Sequence, residues 1–452
     1  RTPHETLVSQ NHGILTARPA VKIREHFLGE EFMAHNVIAE AKKCLNCKKP
    51  LCRTGCPINT PIPQMIQAFL NGDIDGAGKM LFDNNPLSVI CSIVCDHARQ
   101  CQGHCVRGIK GDPVEISTIE NFISERYLDV LKIDCEPANG IKVAVIGGGP
   151  AGITTAIMLA QLGYDVTIFE SKPRIGGVLR FGIPEFRLPK SYIDRYESLM
   201  RGLNIQIRPN MTIGKSFGIK ELFRDGFKAI SIGTGVTWPN TLNIKGETLG
   251  NVHYGVHYLE SPEVYHLGNS LIVIGAGNVA MDVARTAMRR GVKDVKIVVR
   301  SDRSTANTDE LEYAKIEGAD VIFNKAPVEI TDKGVYFKDT VCDENHKVIS
   351  MSEDATLMPA DSVIIAVSQK PSNLILTDTE GLELTPRGLA KTDENGMTSI
   401  PGLFASGDVV KGAKTVVEAV EQAKRTVVAM DRYLKAKVAA EKAAQSAESK
   451  GE

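Results

Sequence analysis

The sequence predicts an α/β protein in which two similar strand–glycine loop–helix–strand units follow an all-α, cysteine-rich segment. Eight of the ten cysteines lie between Cys44 and Cys105, in a stretch whose apolar residues have helical spacing. A buried-strand pattern runs into a glycine-rich loop and a helix at 141–163, and the same pattern returns at 270–290. We therefore expect an internal architectural repeat behind a separate small helical domain.

Composition indicates a soluble globular protein and excludes several other classes. The 452 residues carry 53 Lys and Arg against 54 Asp and Glu, a formal net charge of −1. Because binding to nucleic acid requires a basic surface, we expect no nucleic-acid partner. No apolar run approaches the ~18 residues of a membrane helix, and the first residues show no secretory signal. A cytoplasmic protein without a membrane partner is expected.

The N-terminal part is expected to be helical throughout. Apolar residues recur at about one helical turn, prolines separate the periodic stretches, and no strand pattern is present. The predicted helices are Gly29–Lys43, Pro63–Leu70, Ile74–Phe82 and Ile116–Leu131.

The clustered cysteines have the spacing of a metal centre. The first set is Cys44-x2-Cys47-x4-Cys52-x3-Cys56-Pro57, and the second is Cys91-x3-Cys95-x5-Cys101-x3-Cys105. Short turns of this kind let several thiolates converge on an iron–sulfur cube, and a Cys followed by Pro often ligates a second cluster. Zinc is the main alternative, because Cys-x2-Cys also suits a zinc knuckle. A disulfide framework is the weakest interpretation, since no export signal is visible.

The first glycine loop has the G-x-G-x-x-G spacing of a dinucleotide-binding site. Such glycines permit a tight turn, close approach of a pyrophosphate and close packing of the helix on the strand. The helix that follows offers free N–H groups to phosphate, and an acid ending the next strand can accept hydrogen bonds from a ribose. The candidate residues are Gly147, Gly149, Pro150, Ala151, Gly152 and Glu170. A glycine-rich turn without a ligand is the alternative.

The second glycine loop has the related G-x-G-x-x-A form, at Gly275, Gly277 and Ala280. Its second strand does not end in an acid. Arg300 stands beside the equivalent position and Arg303 follows three residues later. Because an arginine suits a ribose that carries a 2′-phosphate, NADP(H) is favoured over NAD(H). The alternative is that both arginines are ordinary surface charges.

A third feature lies near the C-terminus. A predicted strand ends in Gly407 and Asp408, and a new helix begins near Thr415 and Val416. This arrangement could bring a carboxylate and a helix N-terminus to one ligand, such as a reduced flavin ring. A simple strand–loop–helix is equally compatible with the pattern. Cys342 is the only cysteine after residue 140, so the dithiol of a flavin-dependent disulfide reductase is missing there.

Taken together, these motifs resemble the family of the glutamate synthase small (β) subunit. This family includes the large subunit of NADH-dependent reduced ferredoxin:NADP oxidoreductase and the N-terminal half of dihydropyrimidine dehydrogenase. The resemblance covers roughly residues 20–435. It rests on Cys44-Leu-Asn-Cys47, Gly55-Cys-Pro57, Asn85-Pro-Leu87, Cys101-Gln-Gly-His-Cys105, Gly176-Gly-Val-Leu-Arg-Phe-Gly-Ile-Pro184, Gly277-Asn-Val-Ala-Met-Asp282 and Ala405-Ser-Gly-Asp408.

The resemblance implies one FAD, one pyridine nucleotide and two 4Fe-4S clusters. It assigns one cluster to Cys44, Cys47, Cys52 and Cys105, and the other to Cys56, Cys95, Cys101 and Glu120. Cys91 is then a spare thiol and the main rival to Glu120 as a ligand. The resemblance also adds Gly177, Arg180 and Ile183 to the flavin residues and Asn278 to the nucleotide residues.

Two departures from the family pattern affect these expectations. Relatives usually carry Pro after the equivalent of Cys95, where this chain has Asp96. Many relatives also have paired arginines and a Met-Pro-Ala-Arg stretch beyond the nucleotide strand. Here only Arg300 stands, and the stretch reads Ser304-Thr-Ala-Asn307, which weakens the expectation of NADP(H).

The expected protein has a helical cluster domain at 1–140, an FAD domain split between 141–250 and 371–452, and an NAD(P)H domain at 251–370. A nicotinamide would pass hydride to the flavin without a catalytic acid or base, and single electrons would cross the clusters to or from a partner subunit. That partner is a glutamate synthase large chain or a flavin/iron–sulfur small subunit. The alternatives are the large subunit of an electron-bifurcating ferredoxin:NADP oxidoreductase and the pyridine-nucleotide module of a dihydropyrimidine dehydrogenase. An alternative from a different class of protein is a zinc-stabilised module that senses nucleotides without turnover.

Overall fold

The computed structural model describes residues 36–215 and 217–448. Its N-terminal part is all helical, as the sequence predicts. The elements are α1 (36–41), α2 (Leu51–Gly55), α3 (Ile62–Leu70), α4 (Ile74–Asn84), α5 (Ser88–Val94), a 3-10 turn at Val106–Ile109 and α6 (Ile116–Val130). Residues 29–35 of the first predicted helix lie outside the described residues. The sequence analysis missed α2 and α5, which are too short to show a helical period.

The helical domain has its own core. The apolar faces of α3, α4 and α6 meet there and bury Ile66, Leu81 and Ile119 almost completely. Helix α4 begins where the Asp73 carboxylate accepts a hydrogen bond from the Gly76 N–H at 2.9 Å, which is a typical helix cap.

The inner edge of the helical domain shares a hydrophobic core with the sheet that follows. Ile90 of α5 belongs to the same buried cluster as Val143 and Tyr196. The Tyr196 hydroxyl donates a hydrogen bond to the Pro86 carbonyl at 2.6 Å. Since this core excludes water from the boundary, the helical domain is fixed against the first sheet.

The first α/β unit surrounds a parallel sheet. Its first part consists of β1 (Lys142–Ile146), α7 (Pro150–Gln161), β2 (Asp165–Phe169), α8 (Val178–Phe181), α9 (Lys190–Gly202), β3 (Gln206–Arg208), α10 (Ile219–Arg224) and β4 (Ala229–Ile232). These bounds agree with the predicted strand–helix–strand pattern to within a few residues.

The second α/β unit interrupts the first. Its elements are β5 (Trp238–Pro239), β6 (Val252–Tyr254), α11 (Gly255–Glu260), a 3-10 turn at Pro262–Val264, β7 (Ser270–Ile274), α12 (Asn278–Arg289), β8 (Asp294–Val298), α13 (Thr308–Ile316), β9 (Asp320–Ile322), β10 (Lys325–Thr331), β11 (Gly334–Cys342), β12 (Val348–Met351), β13 (Thr356–Pro359), β14 (Ser362–Ile365) and β15 (Gln369–Lys370). Strands β10 to β13 form an antiparallel sheet beside the parallel one.

The chain then returns to the first unit and completes its sheet. The remaining elements are α14 (Asn373–Asp378), β16 (Leu403–Ala405), α15 (Asp408–Lys411) and α16 (Val416–Glu448). The strand orders are β16-β4-β1-β2-β3 in the first unit and β6-β14-β7-β8-β9 in the second. In parallel sheets of this topology, ligands bind beyond the carboxyl ends of the strands, where the strand order reverses. Those points lie between β1 and β4, and between β7 and β14.

The last helix, α16, runs from Val416 to Glu448. Lys228 pairs with Glu441 at 3.0 Å, so the C-terminal part of this helix is attached to the first unit. Within the described residues, no helix combines the length and the apolar character that crossing a bilayer requires.

Candidate functional site: cysteine groups and two dinucleotide cradles

The structure gathers the eight clustered cysteines into two groups. Cys44 and Cys47 lie in the loop after α1, Cys52 lies in α2, and Cys105 closes the turn that precedes the Val106–Ile109 helix. All four line one small cavity. Burial raises the pKa of the Cys52 thiol to about 11, and the neighbouring Cys105, Cys44 and Cys47 sulfurs add to the rise. Four thiols from distant positions thus share one site.

The second group lies closer to the first α/β unit. Burial is the main cause of the raised pKa values of Cys56 and Cys101, and the Glu120 charge raises both further. The pKa of Cys95 is raised first by a hydrogen bond with Cys91 and then by burial. Cys56, Cys91 and Cys95 contact the core that the helical domain shares with the first sheet.

Glu120 lies close to the second cysteine group. It projects from α6, is 7% exposed and accepts a hydrogen bond from the Ser88 hydroxyl at 3.0 Å. Burial raises its pKa to about 7, although the Ser88 hydrogen bond opposes the shift. Cys91 is also buried beside Cys95, so the structure brings together both rivals for the fourth ligand position.

The chemistry of these donors fits iron–sulfur clusters. Metal ligands must be deprotonated, and buried thiolates that repel one another need positive charge between them.

The first glycine loop sits at the reversal point between β1 and β4. Gly147 has φ +99°, and a Cβ there would lie 2.6 Å from the Gly233 carbonyl oxygen. A Cβ on Gly152 would lie 1.9 Å from the Gly147 oxygen. Helix α7 begins at Pro150 with Gly149 as its N-cap. The glycines are therefore required by close backbone contacts, and the helix N-terminus faces the crevice.

Glu170 follows β2 and holds the glycine loop from the other side. Its carboxylate accepts hydrogen bonds from the Gly148 N–H at 2.7 Å and from the Lys172 N–H at 2.8 Å. The residue is only 5% exposed. An acid is thus located beside the loop, where a ribose diol would bind.

The segment 176–183 reaches the same loop. The Gly176 N–H donates to the Gly148 carbonyl at 2.8 Å, and a Cβ on Gly177 would lie 2.9 Å from the Gly149 Cα. Arg180 donates to the Ile175 carbonyl at 2.8 Å and pairs with Asp194 at 2.6 Å, so its guanidinium already has partners. Ile183 is partly buried against the core of the first unit.

The C-terminal segment closes the crevice around the first glycine loop. This crevice is called the first cradle below. Gly407 has φ +79°, and a Cβ there would lie 3.0 Å from the Ala151 side chain. Asp408 accepts a hydrogen bond from the Lys414 N–H at 3.2 Å, and burial raises its pKa to about 7. The Thr415 N–H and hydroxyl both donate to Glu418, at 3.0 and 2.6 Å, immediately before α16 starts at Val416. Asp408 and the start of α16 therefore adjoin, as the pattern suggested.

Sequence reasoning missed two hydroxyls in the cradle. Thr234 follows β4, and its Cα lies 3.1 Å from the position of a Cβ on Gly147. Ser406 precedes Gly407. The Thr234 and Ser406 hydroxyls are buried and have no hydrogen-bond partner among the described residues. Unpaired buried hydroxyls beside a glycine cradle and a helix N-terminus fit a polar dinucleotide such as FAD. The glycines on either side of Thr234 are the sequence feature that could have pointed to this position.

The second glycine loop repeats this geometry between β7 and β14. A Cβ on Gly275 would lie 2.4 Å from the Ala366 carbonyl oxygen, just as Gly147 abuts Gly233. Gly277 is the N-cap of α12, and Ala280 is fully buried. Asn278 accepts a hydrogen bond from the Asn307 N–H at 2.7 Å. This cradle fits a second dinucleotide.

Arg300 and Arg303 lie beyond the end of β8. Both are exposed, and neither forms an ion pair within the part of the chain that the structure describes. Between them, Asp302 pairs with His346 at 2.9 Å. The substituted stretch at 304–307 lies on the glycine loop itself, because the Ala276 carbonyl accepts hydrogen bonds from the Ser304 hydroxyl and the Ala306 N–H.

A buried ion network joins the two cradles. Arg187 follows the 176–183 segment and pairs with Asp282 of α12 at 2.8 Å and with Glu310 of α13 at 2.7 Å. Arg285 pairs with Glu310 at 2.6 Å. Phe186 lies under the Arg285 guanidinium, 4.7 Å from it. The chain that follows the 176–183 segment is thereby attached to the helix that starts at the second glycine loop.

Comparison with known proteins agrees with this architecture. The family model described as pyridine nucleotide-disulphide oxidoreductase matches residues 141–423, and the model described as dihydropyrimidine dehydrogenase domain II, 4Fe-4S cluster, matches residues 23–130. The first model implies FAD and NAD(P), and the second implies a 4Fe-4S cluster. Both implications agree with the donors and cradles described above.

Individual relatives cover nearly the whole chain. The glutamate synthase [NADPH] small chain of Halomonas elongata is 30% identical over 90% of this chain and 92% of its own. The NAD-dependent dihydropyrimidine dehydrogenase subunit PreT of Salmonella typhimurium is 31% identical over 88% of this chain and 94% of its own. Mycobacterium tuberculosis FprA in complex with NADPH shares the fold, with a TM-score of 0.57 and 20% identity over 67% of this chain and 86% of its own. The chain thus belongs to the pyridine nucleotide-disulphide oxidoreductase family and is a flavin- and iron–sulfur-dependent oxidoreductase of the glutamate synthase small-chain type.

Proposed function

We propose that this chain is the pyridine-nucleotide-oxidising subunit of a larger redox enzyme, with FAD, two 4Fe-4S clusters and a preference for NADP(H). When bound, the flavin would accept hydride from the nicotinamide and the clusters would carry single electrons. The observation that carries the proposal is the placement of the second cysteine group against the core of the first α/β unit. On this proposal, one cluster site would lie beside the flavin unit and the other would lie further out.

The domain division follows the two cradles. The helical domain, 1–140, would hold the clusters, and 141–250 with 371–452 would hold FAD. The inserted segment, 251–370, would hold the pyridine nucleotide. Gly147, Gly149 and Gly152 leave room for the pyrophosphate, and Glu170 would accept hydrogen bonds from the ribose.

Positioning by the protein accounts for the proposed chemistry without a catalytic acid or base. The start of α16 and Asp408 would orient the flavin, and the unpaired Thr234 and Ser406 hydroxyls would contact it. Gly277 and Asn278 would receive the nucleotide pyrophosphate at the N-terminus of α12. The Arg187 network holds the second unit against the first, which fixes the approach of one cradle to the other.

The preference for NADP(H) rests on Arg300 and Arg303. Both guanidinia are exposed without a carboxylate partner among the described residues, and no acid ends β8. A 2′-phosphate would receive charge-assisted hydrogen bonds from them. The named relatives include both an NADPH and an NAD-dependent protein, so nucleotide choice has to be tested directly.

Two sets of ligands are proposed for the clusters. Cys44, Cys47, Cys52 and Cys105 would form the outer site, and Cys56, Cys95, Cys101 and Glu120 the inner site. The shared cavity of the first four and the electrostatic coupling of the second four support this division.

The outer site is where electrons would leave for a second redox subunit. Its four cysteines are partly exposed, as are Cys56 and Cys95, whereas Cys101 of the inner site is buried. The exposed basic residues Lys42, Lys48 and Lys49 lie around the outer site. The relatives named above are described as a small chain and a subunit, which also favours a partner. A glutamate synthase large chain or a flavin/iron–sulfur small subunit would fill that role.

Cofactor content tests the proposal. Anaerobically purified protein should be brown and contain one FAD and about eight irons per chain. Replacing Cys52 with Ser should remove the outer cluster and about half of the iron while leaving FAD in place. Replacing the distant Cys342 with Ser is the matched control and should change neither. Colourless protein with stoichiometric zinc would overturn the proposal.

A further inference from the structure

A single lysine links the flavin-side helix to the inner cysteine group. Lys424 lies on α16, eight residues beyond its start at Val416, which is about 12 Å along the helix axis. Its ammonium group donates to the Asn84 main-chain carbonyl and, at 3.0 Å, to the Asn84 side-chain oxygen. Asn84 is the last residue of α4 in the helical domain. The contact therefore crosses from the first α/β unit to the cluster domain.

The link continues as far as a proposed cluster ligand. The Asn84 amide donates to the Thr60 hydroxyl at 3.4 Å and to the Ile58 carbonyl at 3.4 Å. The Thr60 hydroxyl lies 3.3 Å from the Cys56 sulfur. Three polar contacts in sequence thus connect the Lys424 ammonium to the Cys56 thiol.

Lys424 brings a positive charge that no carboxylate neutralises directly. It forms no ion pair among the residues that the structure describes, and the nearby Glu421 pairs with Arg425 at 2.8 Å. Burial lowers the pKa of Lys424, while Glu421 and Cys56 act in the opposite direction. A partly buried cation without a carboxylate partner is costly unless negative charge lies near it. The thiolate-ligated site that includes Cys56 would supply that charge.

We propose that Lys424 positions the Asn84–Thr60–Cys56 contacts and raises the reduction potential of the inner iron–sulfur site by its fixed positive charge. The inference rests on the proposed function, because it requires a cluster on Cys56. One electron from the reduced flavin makes the inner site more negative by one charge, and no proton is needed. A nearby cation stabilises that extra charge, since net charge and hydrogen bonds to the sulfurs set such potentials.

Anaerobic redox titration followed by EPR tests the inference in the complete, cofactor-loaded chain. The inner signal is identified as the one that Cys56→Ser removes. In Lys424→Met, we expect the reduced-to-oxidised ratio of this signal at a fixed potential to fall about tenfold, which is 59 mV for a one-electron couple. Lys424→Gln keeps a donor for the Asn84 carbonyl without the charge and should show the same shift.

Two further variants separate charge from packing. Lys424→Arg keeps the charge and should leave the inner potential within threefold of wild type. Lys435→Met removes an exposed lysine from the same helix, where it pairs with Asp431, and should change nothing. If Lys424 served only to tether the domains, the Lys424→Arg and Lys424→Gln variants would have the same inner reduction potential.

The possible failures are distinguishable. Wild-type protein without any iron–sulfur signal would overturn the proposed function and this inference together. Wild-type protein with both signals, combined with an unshifted inner potential in Lys424→Met and Lys424→Gln, would overturn the inference alone. An outer signal that shifts as much as the inner one would also contradict it.

Discussion

The Arg187 guanidinium donates to both carboxylate oxygens of Asp282, at 2.9 and 2.8 Å, and thereby joins the two α/β units through a buried ion pair. The two side chains are 8% and 5% exposed. Without Asp282, the buried Arg187 guanidinium loses two hydrogen bonds and keeps only Glu310 as a carboxylate partner. Replacing Asp282 with Ala should therefore lower the free energy of unfolding of the apoprotein by at most about 3–5 kcal/mol, the cost of a buried charge left without any partner. Urea denaturation followed by circular dichroism measures this loss.

The matched control is an ion pair on the surface. Lys220 and Glu380 also connect distant segments, but their side chains are 75% and 81% exposed. Replacing Lys220 with Ala should barely change the denaturation midpoint, because solvent screens exposed pairs. If Asp282→Ala and Lys220→Ala gave the same small change, the Arg187 network would not hold the units together.

The fourth ligand of the inner cluster can be decided between Glu120 and Cys91. Replacing Glu120 with Ala should alter the EPR signal or potential of one cluster and leave the other unchanged. Replacing Cys91 with Ser should leave both signals intact. If Cys91→Ser removed a cluster while Glu120→Ala had no effect, the ligand assignment would have to be reversed.

We expect the choice between NADPH and NADH to depend on Arg300. Replacing Arg300 with Ala should raise the KM for NADPH about tenfold or more, because a charge-assisted contact contributes about 1.5–3 kcal/mol. The KM for NADH should hardly change, since NADH has no 2′-phosphate. Steady-state assays with an artificial electron acceptor measure both values without the natural partner. Equal losses with the two nucleotides would mean that Arg300 is structural.

The stability of the apoprotein should depend on pH through Asp408. Its folded-state pKa of about 7 lies above the ordinary unfolded value of ~3.9. Proton uptake therefore favours the folded state below about pH 4, and this contribution disappears as pH rises through 7. Relative to Asp408→Asn, the wild type should lose stability between about pH 4 and 7, with an upper limit of about 4 kcal/mol.

Thermal melting at pH 5 and pH 8 measures this difference. Asp361 is a suitable control, because hydrogen bonds from the Asn269 and Ser270 N–H groups lower its pKa. Asp361 is ionised at both pH values, so the effect of Asp361→Asn should be the same at each. If the melting temperatures of the wild type and Asp408→Asn differed by the same amount at pH 5 and pH 8, Asp408 would not be the source of the pH-dependent stability.

Local patterns in the sequence predicted the fold class and both glycine loops. Gly147 and Gly275 could be identified from the sequence because close backbone contacts at these positions require glycine, and glycine is recognisable in the sequence. Helices α3, α4 and α6 were found because their apolar faces repeat at a helical period. The C-terminal part of α16 is rich in Ala, Lys and Glu, which favour helix, and Glu441 there pairs with Lys228.

Contacts between distant segments could not be read from local patterns. Thr234 and Ser406 meet the first cradle only after β4 has paired with β1 and β16 has paired with β4. The Arg187–Asp282 pair joins residues that are far apart in sequence, and Lys424 reaches Asn84 over an even greater separation. Such pairs depend on how the units pack, which a single sequence does not show.

The insertion of the second unit into the first has a consequence for synthesis of the chain. Strand β4 ends at Ile232, and β16, which pairs with it, begins at Leu403. At ~5–20 residues per second, the ribosome releases β16 roughly 9–34 s after β4. During that interval the helical domain and the inserted unit are completed, whereas the sheet of the first unit still lacks its edge strand β16 and helix α16. The first cradle can therefore be closed only after the inserted unit has been synthesised.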